Sequence, residues 1–123
     1  MSGAREFFDR TPTLAEMAAL AAAIRDEAGS ESEEACLAVA WALLNGCMAG
    51  RSRSGLGHFA PAMTDFSDPG FWRALGAACR AWTGDAPDQT RGATRFHTHT
   101  EYPLWAHRTA PNALIGRHFF YPP

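Results

Sequence analysis

The sequence contains no lysine: all eleven basic residues are arginine, a bias that reflects genome composition more than function. Against thirteen acids they leave a net charge of −2, far from the basic surplus that a nucleic-acid backbone demands, so no nucleic-acid partner is expected. No apolar run approaches the ~18 residues of a membrane span, so membrane insertion is not expected either. Met1-Ser2-Gly3-Ala4-Arg5-Glu6-Phe7-Phe8 lacks the apolar core of a signal peptide. The expectation is synthesis in the cytoplasm without an export signal. Cysteine is scarce. Cys36, Cys47 and Cys79 are odd in number and widely spaced, which suits neither a disulfide frame nor a thiolate metal site. All three read as buried free thiols. No internal repeat is visible, and 46% hydrophobic with 20% charged residues excludes a disordered chain. At 123 residues the chain is one domain, 1–123, with a polar lead over residues 1–12.

What is present is unevenly charged. Residues 1–50 hold eight acids and three Arg, −5, and residues 51–123 hold five acids and eight Arg, +3. The mildly basic second part suits an acidic polymer. Thr13-Leu14-Ala15-Glu16 is a capping box and predicts a helix from about Leu14 to Ala28. Its stripe is Leu14, Met17, Ala21, Ile24 and Ala28. Gly29, in a left-handed conformation, would end it. Ser30-Glu31-Ser32-Glu33 caps a second helix, Glu34 to Leu44, apolar on every side and therefore central, with Asn45-Gly46 as its end. Residues 46–67 are loop-rich. Ser67-Asp68-Pro69 starts a third helix to Trp82, with Phe71, Trp72, Leu75, Ala78, Cys79 and Trp82 inward and Gly84 after it. The period then changes to two. Thr94, Phe96 and Thr98 share one face, and Arg95, His97 and His99 the other. Ile115 to Tyr121 is a second strand. Helices first and a small antiparallel sheet last make an α+β fold.

The chemistry-bearing residues follow from this layout. Breaking a glycosidic bond needs an acid that keeps its proton near neutral pH, which apolar surroundings favour. Glu27 sits beside Leu20 and Ile24 at the edge of the first helix's stripe, and Glu31 lies four residues on. Taken alone, Glu27 reads first as an ordinary surface acid near a helix end. The adjacent positive end of the second helix opposes an acid's holding a proton. His97 and His99, with His107 and His118 further on, could ligate a metal, but no HExxH or CxxC spacing supports it. His58 with a Cys nucleophile is weaker still. The aromatics exceed what so small a core needs, and aromatic faces bind sugar rings. Trp72 and Trp82 are at core spacing, whereas Tyr102 and Trp105 lie in a Pro-bearing loop that can line a cleft.

Four motifs in order give the chain a specific resemblance. Glu27-Ala28-Gly29-Ser30-Glu31 is followed by Leu37-Ala38-Val39-Ala40-Trp41-Ala42-Leu43-Leu44-Asn45. His58-Phe59 stands in the middle loop. Asp88-Gln89-Thr90-Arg91-Gly92-Ala93-Thr94-Arg95-Phe96-His97 leads into the strand, and Ile115-Gly116-Arg117-His118-Phe119-Phe120-Tyr121 ends the chain. From about Leu20 to Tyr121 the sequence resembles the SleB/CwlJ-type cell wall hydrolases. It departs from them at His58, where the family has Gln, and at Gly46, where Arg is usual.

The resemblance implies a lysozyme-like catalytic domain, mainly helical around the buried helix, that acts on peptidoglycan. It implies cleavage of the glycan strand between N-acetylmuramic acid and N-acetylglucosamine as a lytic transglycosylase, with Glu27 the one catalytic acid and no cofactor or metal. Glu31, His58, Phe59, Thr90, Phe96, His97, Trp105 and Tyr121 are the expected substrate-binding residues. A peptidoglycan-binding protein without turnover and a metal-dependent hydrolase built on the His cluster are the alternatives. With no export signal in view, the expected route to the wall or periplasm is a phage-like particle or a holin-type pore.

Overall fold

The computed structural model describes residues 11–48 and 66–123; most of the polar lead, and the middle loop with His58 and Phe59, lie outside them. The described elements are α1 (Leu14–Ala28), α2 (Glu33–Met48), α3 (Pro69–Trp82), β1 (Arg95–Thr98), a 3-10 turn (Leu104–Ala106), β2 (Ala113–Ile115) and β3 (His118–Tyr121). Helices followed by a small antiparallel sheet make the fold α+β.

Helix α1 begins as its sequence dictates. Thr13 Oγ1 accepts the Glu16 amide at 3.1 Å, and Glu16 Oε1 accepts the Thr13 amide at 2.9 Å. Leu20, Ala21, Ile24 and Ala28 are buried, while Leu14 at the stripe's start stays exposed. Its end differs from the expectation. Gly29 is right-handed, at φ −61° and ψ −26°. What the position needs is space: a Cβ there would fall 2.6 Å from the Arg25 carbonyl oxygen. One on Gly70 would fall 2.9 Å from the Gly29 carbonyl oxygen, so the end of α1 abuts the start of α3. Arg73 Nη1 donates to the Gly29 carbonyl at 2.5 Å, and Arg25 Nη1 to Asp68 Oδ2 at 3.3 Å. The first serves a helix-end carbonyl that α1 itself leaves open, and the second ties the last turn of α1 to the residue that caps α3. Asp68 also caps α3, accepting the Gly70 amide at 2.8 Å, with Pro69 in the first helical position.

Helix α2 is the centre. It touches α1, α3, β1 and β2. Ser32 Oγ accepts the Ala35 amide at 3.2 Å at its start. Cys36, Val39, Ala40 and Leu44 are fully or almost fully buried. It runs through Asn45-Gly46 to Met48, past the end expected at Leu44. Asn45 caps nothing, because its side chain serves a distant loop. Nδ2 donates to Asp88 Oδ2 at 2.9 Å and to the Ala93 carbonyl at 3.0 Å.

In α3, Phe71, Ala74, Ala78 and Trp82 face the core. Trp72 and Cys79, both expected inside, are exposed. Each follows a core residue by one position, a rotation of about 100° away from the packed face. Trp72 leans on Phe66 and donates its ring N–H to the Phe66 carbonyl at 2.8 Å.

The sheet has the order β1-β3-β2, antiparallel throughout. The second strand expected over Ile115–Tyr121 is two strands, folded back at Gly116-Arg117, where Gly116 has φ +60°. The β1–β3 register pairs Phe96 with Phe120 and Thr98 with His118 on the inner face, against α2. Arg95, His97, Phe119 and Tyr121 form the outer face.

Candidate functional site

Glu27 lies in the last turn of α1. Glu31 lies in the connection to α2, whose backbone is held by the Glu31 amide donating to the Ala28 carbonyl at 2.9 Å. The fold brings the first residue of β3, His118, between them. Glu31 Oε2 is 3.5 Å from His118 Nδ1, and Glu27 Oε2 is 3.8 Å from Nε2. Glu31 comes this close because Gly116 has no side chain. A Cβ there would sit 2.7 Å from Glu31 Oε1. The same oxygen accepts the Arg117 amide at 3.1 Å, which ties the acid to the β2–β3 turn. Phe96 meets the His118 ring edge-on at 5.7 Å, and Phe120 lies at 6.0 Å.

Exposure separates the three. His118 is fully buried, the Glu31 side chain is 12% exposed and the Glu27 side chain is 47% exposed. Leu20 and Ile24, expected to wall Glu27 in, are themselves fully buried, so Glu27 stands on the solvent side of their stripe. Among the described residues, neither ring nitrogen of His118 has a hydrogen-bond partner. Unpaired buried polar atoms are rare and costly; of the four among the described residues, with Thr94 Oγ1 and Arg95 Nε the others, two belong to this one ring flanked by two carboxylates. The arrangement can orient Glu27 and pass or hold a proton at it.

The remaining expected residues divide between two other places. Thr90 is fully buried. Its hydroxyl donates to Asp88 Oδ1 at 2.6 Å and accepts the Ala93 amide at 3.2 Å, so its polar atoms serve the loop. Asp88 organises that loop, also accepting the Thr90 and Gly92 amides at 2.8 and 3.0 Å. His97, Trp105 and Tyr121 meet on the sheet's outer face, away from His118. His97 Nδ1 donates to the Thr98 carbonyl and Nε2 accepts from the Tyr121 hydroxyl, each at 2.8 Å. Trp105 packs edge-on against Tyr121 at 5.0 Å, and the Arg95 guanidinium lies 4.9 Å over its ring. Burial, with Tyr102 nearby, pushes the Tyr121 phenol above its usual range.

The histidines considered as metal ligands are dispersed. His97 and His118 occupy opposite faces, and His107 stacks on Tyr102 at 4.4 Å. Among the described residues, no three His, Cys, Asp or Glu side chains are placed to hold one ion. Glu27 and Glu31 address different nitrogens of His118, whose lone pairs diverge, so the three cannot converge on a metal. The cysteines are free: Cys36 is buried, Cys47 partly buried and Cys79 exposed, the last against expectation. Burial pushes the Cys36 thiol up, and it donates to the Ala28 carbonyl at 3.2 Å.

The residue that sequence reasoning missed is His118, seen there only as one of a cluster. The usable signal was a glycine two residues ahead of a strand histidine, together with two acids spaced by four. No protein family, curated protein or solved structure matches the chain.

Proposed function

We propose that the chain is a lysozyme-like cell wall enzyme that cuts the peptidoglycan glycan strand between N-acetylmuramic acid and N-acetylglucosamine. One observation carries the reading: a half-exposed carboxylate, Glu27, at a helix end, 3.8 Å from a fully buried histidine whose ring has no hydrogen bond among the described residues. Glu27 can reach a substrate, and the protein sets its orientation from behind. Protonated Glu27 gives its proton to the bridge oxygen, and the electron pair of the breaking C–O bond leaves with that oxygen. The resulting carboxylate then takes the proton of the muramic acid 6-hydroxyl, whose oxygen closes on the anomeric carbon as a 1,6-anhydro ring. Glu27 ends as it began.

Glu31 supports the single-acid route over the two-carboxylate one. It is nearly buried, with one oxygen on the Arg117 amide and the other toward His118, so it is not free to activate a water across the sugar. Tyr102 and Trp105, exposed by 63% and 37%, offer faces on which sugar rings can stack. Among the described residues, no helix is long and apolar enough to cross a membrane. Delivery to the wall by a particle or a pore belongs to the same proposal.

The test is digestion of purified sacculi by the wild type and by Glu27→Gln, with and without chelator, with products identified by mass. Anhydromuropeptides should form and fall on the order of 10²- to 10⁴-fold in the variant, the share that general acid–base catalysis supplies. Reducing ends instead would mean a hydrolytic muramidase. Equal binding of both proteins without products would make the chain a binding protein. Loss on chelation would point to metal-dependent hydrolysis.

A further inference from the structure

Glu27 is 47% exposed, so burial is a weak means of holding its carboxyl in place. The geometry behind it supplies another. A carboxylate oxygen faces each nitrogen of His118. A neutral imidazole has one N–H and one lone pair, so only one of these encounters can be donor to acceptor without a further proton. Glu31 is the fixed partner: the Arg117 amide holds its Oε1, and the missing side chain of Gly116 leaves its place open. Glu31, at 3.5 Å from Nδ1, is therefore the nearer and better-held acceptor for an Nδ1–H. Nε2 then presents a lone pair to Glu27 Oε2, and two acceptors that face each other call for a proton between them.

We infer that Glu31, His118 and Glu27 form one proton-holding unit, in which Glu31 fixes His118 as its Nδ1–H tautomer and Nε2 accepts the O–H of Glu27 until substrate takes it. The inference rests on the reading of Glu27 as the acid and gives His118 and Glu31 the part of positioning residues. Substrate draws the Glu27 carboxyl off the imidazole, the O–H turns to the bridge oxygen, and no bond other than the O–H breaks on the protein. The distances of 3.5 and 3.8 Å are those of a site without substrate, and such contacts tighten when it binds.

Among the described residues, the charged and titratable groups around the unit are few: on α2 the Cys36 thiol feels Glu31, and Arg73 and Glu33 act on that same thiol. From α1 it receives Glu27, and from the α1–α2 connection Glu31. From β1 it receives Phe96 and Thr98, and from β2 Ile115, none of which titrates. Arg95 and His97 project from the opposite face. Among the described residues, Glu27 and Glu31 are the acids within 4.0 Å of the ring nitrogens.

The test reads the ring directly. Long-range proton–nitrogen correlation spectra of the whole chain report which nitrogen of each histidine bears hydrogen, and loss of one signal set in His118→Gln assigns it. In the wild type near neutral pH, His118 should be the Nδ1–H form. Glu31→Gln, which keeps size and the contact with Arg117, should mix the tautomers, and Glu27→Gln should shift the Nε2 resonance. A wild-type ring protonated mainly on Nε2, or a ring indifferent to both variants, would overturn the inference. Sacculus digestion adds a second reading. Glu31→Gln should lower kcat on the order of 10-fold with KM unchanged. An equal kcat would also overturn the inference. If the ring behaves as expected but no products form, the unit stands and the glycan reading fails. If products form but the ring ignores both acids, the glycan reading stands and the unit fails.

Discussion

The inner and outer faces of the sheet each bury a histidine, and the fold treats the two oppositely. On the outer face, His97 is 7% exposed, and both its nitrogens are used, by the Thr98 carbonyl and the Tyr121 hydroxyl. It stacks on Phe119 and Tyr121 at 5.5 and 5.2 Å. On the inner face, His118 is sealed completely, yet neither nitrogen has a hydrogen bond among the described residues, and acids wait at both. Burial alone therefore does not mark a working histidine. Satisfaction does: the outer ring has spent its polar atoms on the fold, and the inner ring has kept them.

Replacing each ring by leucine should break the symmetry most visibly. His118→Leu removes only the long contacts to Glu31 and Glu27, at 3.5 and 3.8 Å, so folding free energy should change by less than about 1 kcal/mol. Anhydromuropeptide release should nonetheless fall on the order of 100-fold, because Glu27 loses what faces it from within. His97→Leu breaks two hydrogen bonds, the one to Tyr121 buried and the one to Thr98 part-buried, and strands the Tyr121 hydroxyl, which should cost about 2 kcal/mol. Urea midpoints and product yields read both effects. A stability loss in His118→Leu as large as that in His97→Leu would erase the contrast.

Gly116→Ala sharpens the inner face with a smaller effect. The residue sits at φ +60°, where a side chain costs about 1–2 kcal/mol. Its new Cβ would also stand 2.7 Å from Glu31 Oε1 and push that acid off His118. Product yield should fall toward that of Glu31→Gln, and a variant with lower stability and full yield would show that the position of Glu31 does not matter.

Much of the frame was legible because it is local. The capping box of Thr13 and Glu16 and the cap-then-proline of Asp68-Pro69 each complete themselves within a few residues, and both helix starts follow them. Strand alternation sorted Phe96 from His97 onto the correct faces. What failed was settled at long range. Asn45-Gly46 carries a helix-end signal, but Asn45 bonds to Asp88 and Ala93, and the helix continues. Trp72 and Cys79 were placed inside by helical spacing, but the packed face runs through Phe71, Ala74 and Ala78 instead. In the site, the pair Glu27 and Glu31 shows in the sequence through spacing. Their histidine does not, because the β3 strand meets them across a separation of more than 80 residues, as the Arg117–Glu31 bond spans 86. Thr90 was placed in the cleft for its position in a motif, and only the folded loop reveals that Asp88 holds it.

Tyr121→Phe tests the outer face at the scale of one hydrogen bond. The hydroxyl is the partner of His97 Nε2 at 2.8 Å, so its loss should cost about 1 kcal/mol near neutral pH. Burial first, and then Tyr102, holds the phenol above its usual range in the folded protein. A group whose folded pKa is raised contributes stability that is complete below its unfolded pKa, here about 10, and is lost as pH rises through the folded value. Above about pH 10 the unfolded chain sheds this proton while the folded one keeps it, so the wild type loses stability faster than the variant. The two stability curves should therefore lie about 1 kcal/mol apart near neutral pH and converge in alkali, as read from urea midpoints across a pH series. Curves that stay parallel would mean that the phenol ionises as readily folded as unfolded, and the outer face would then be less closed than the His97–Tyr121 bond requires.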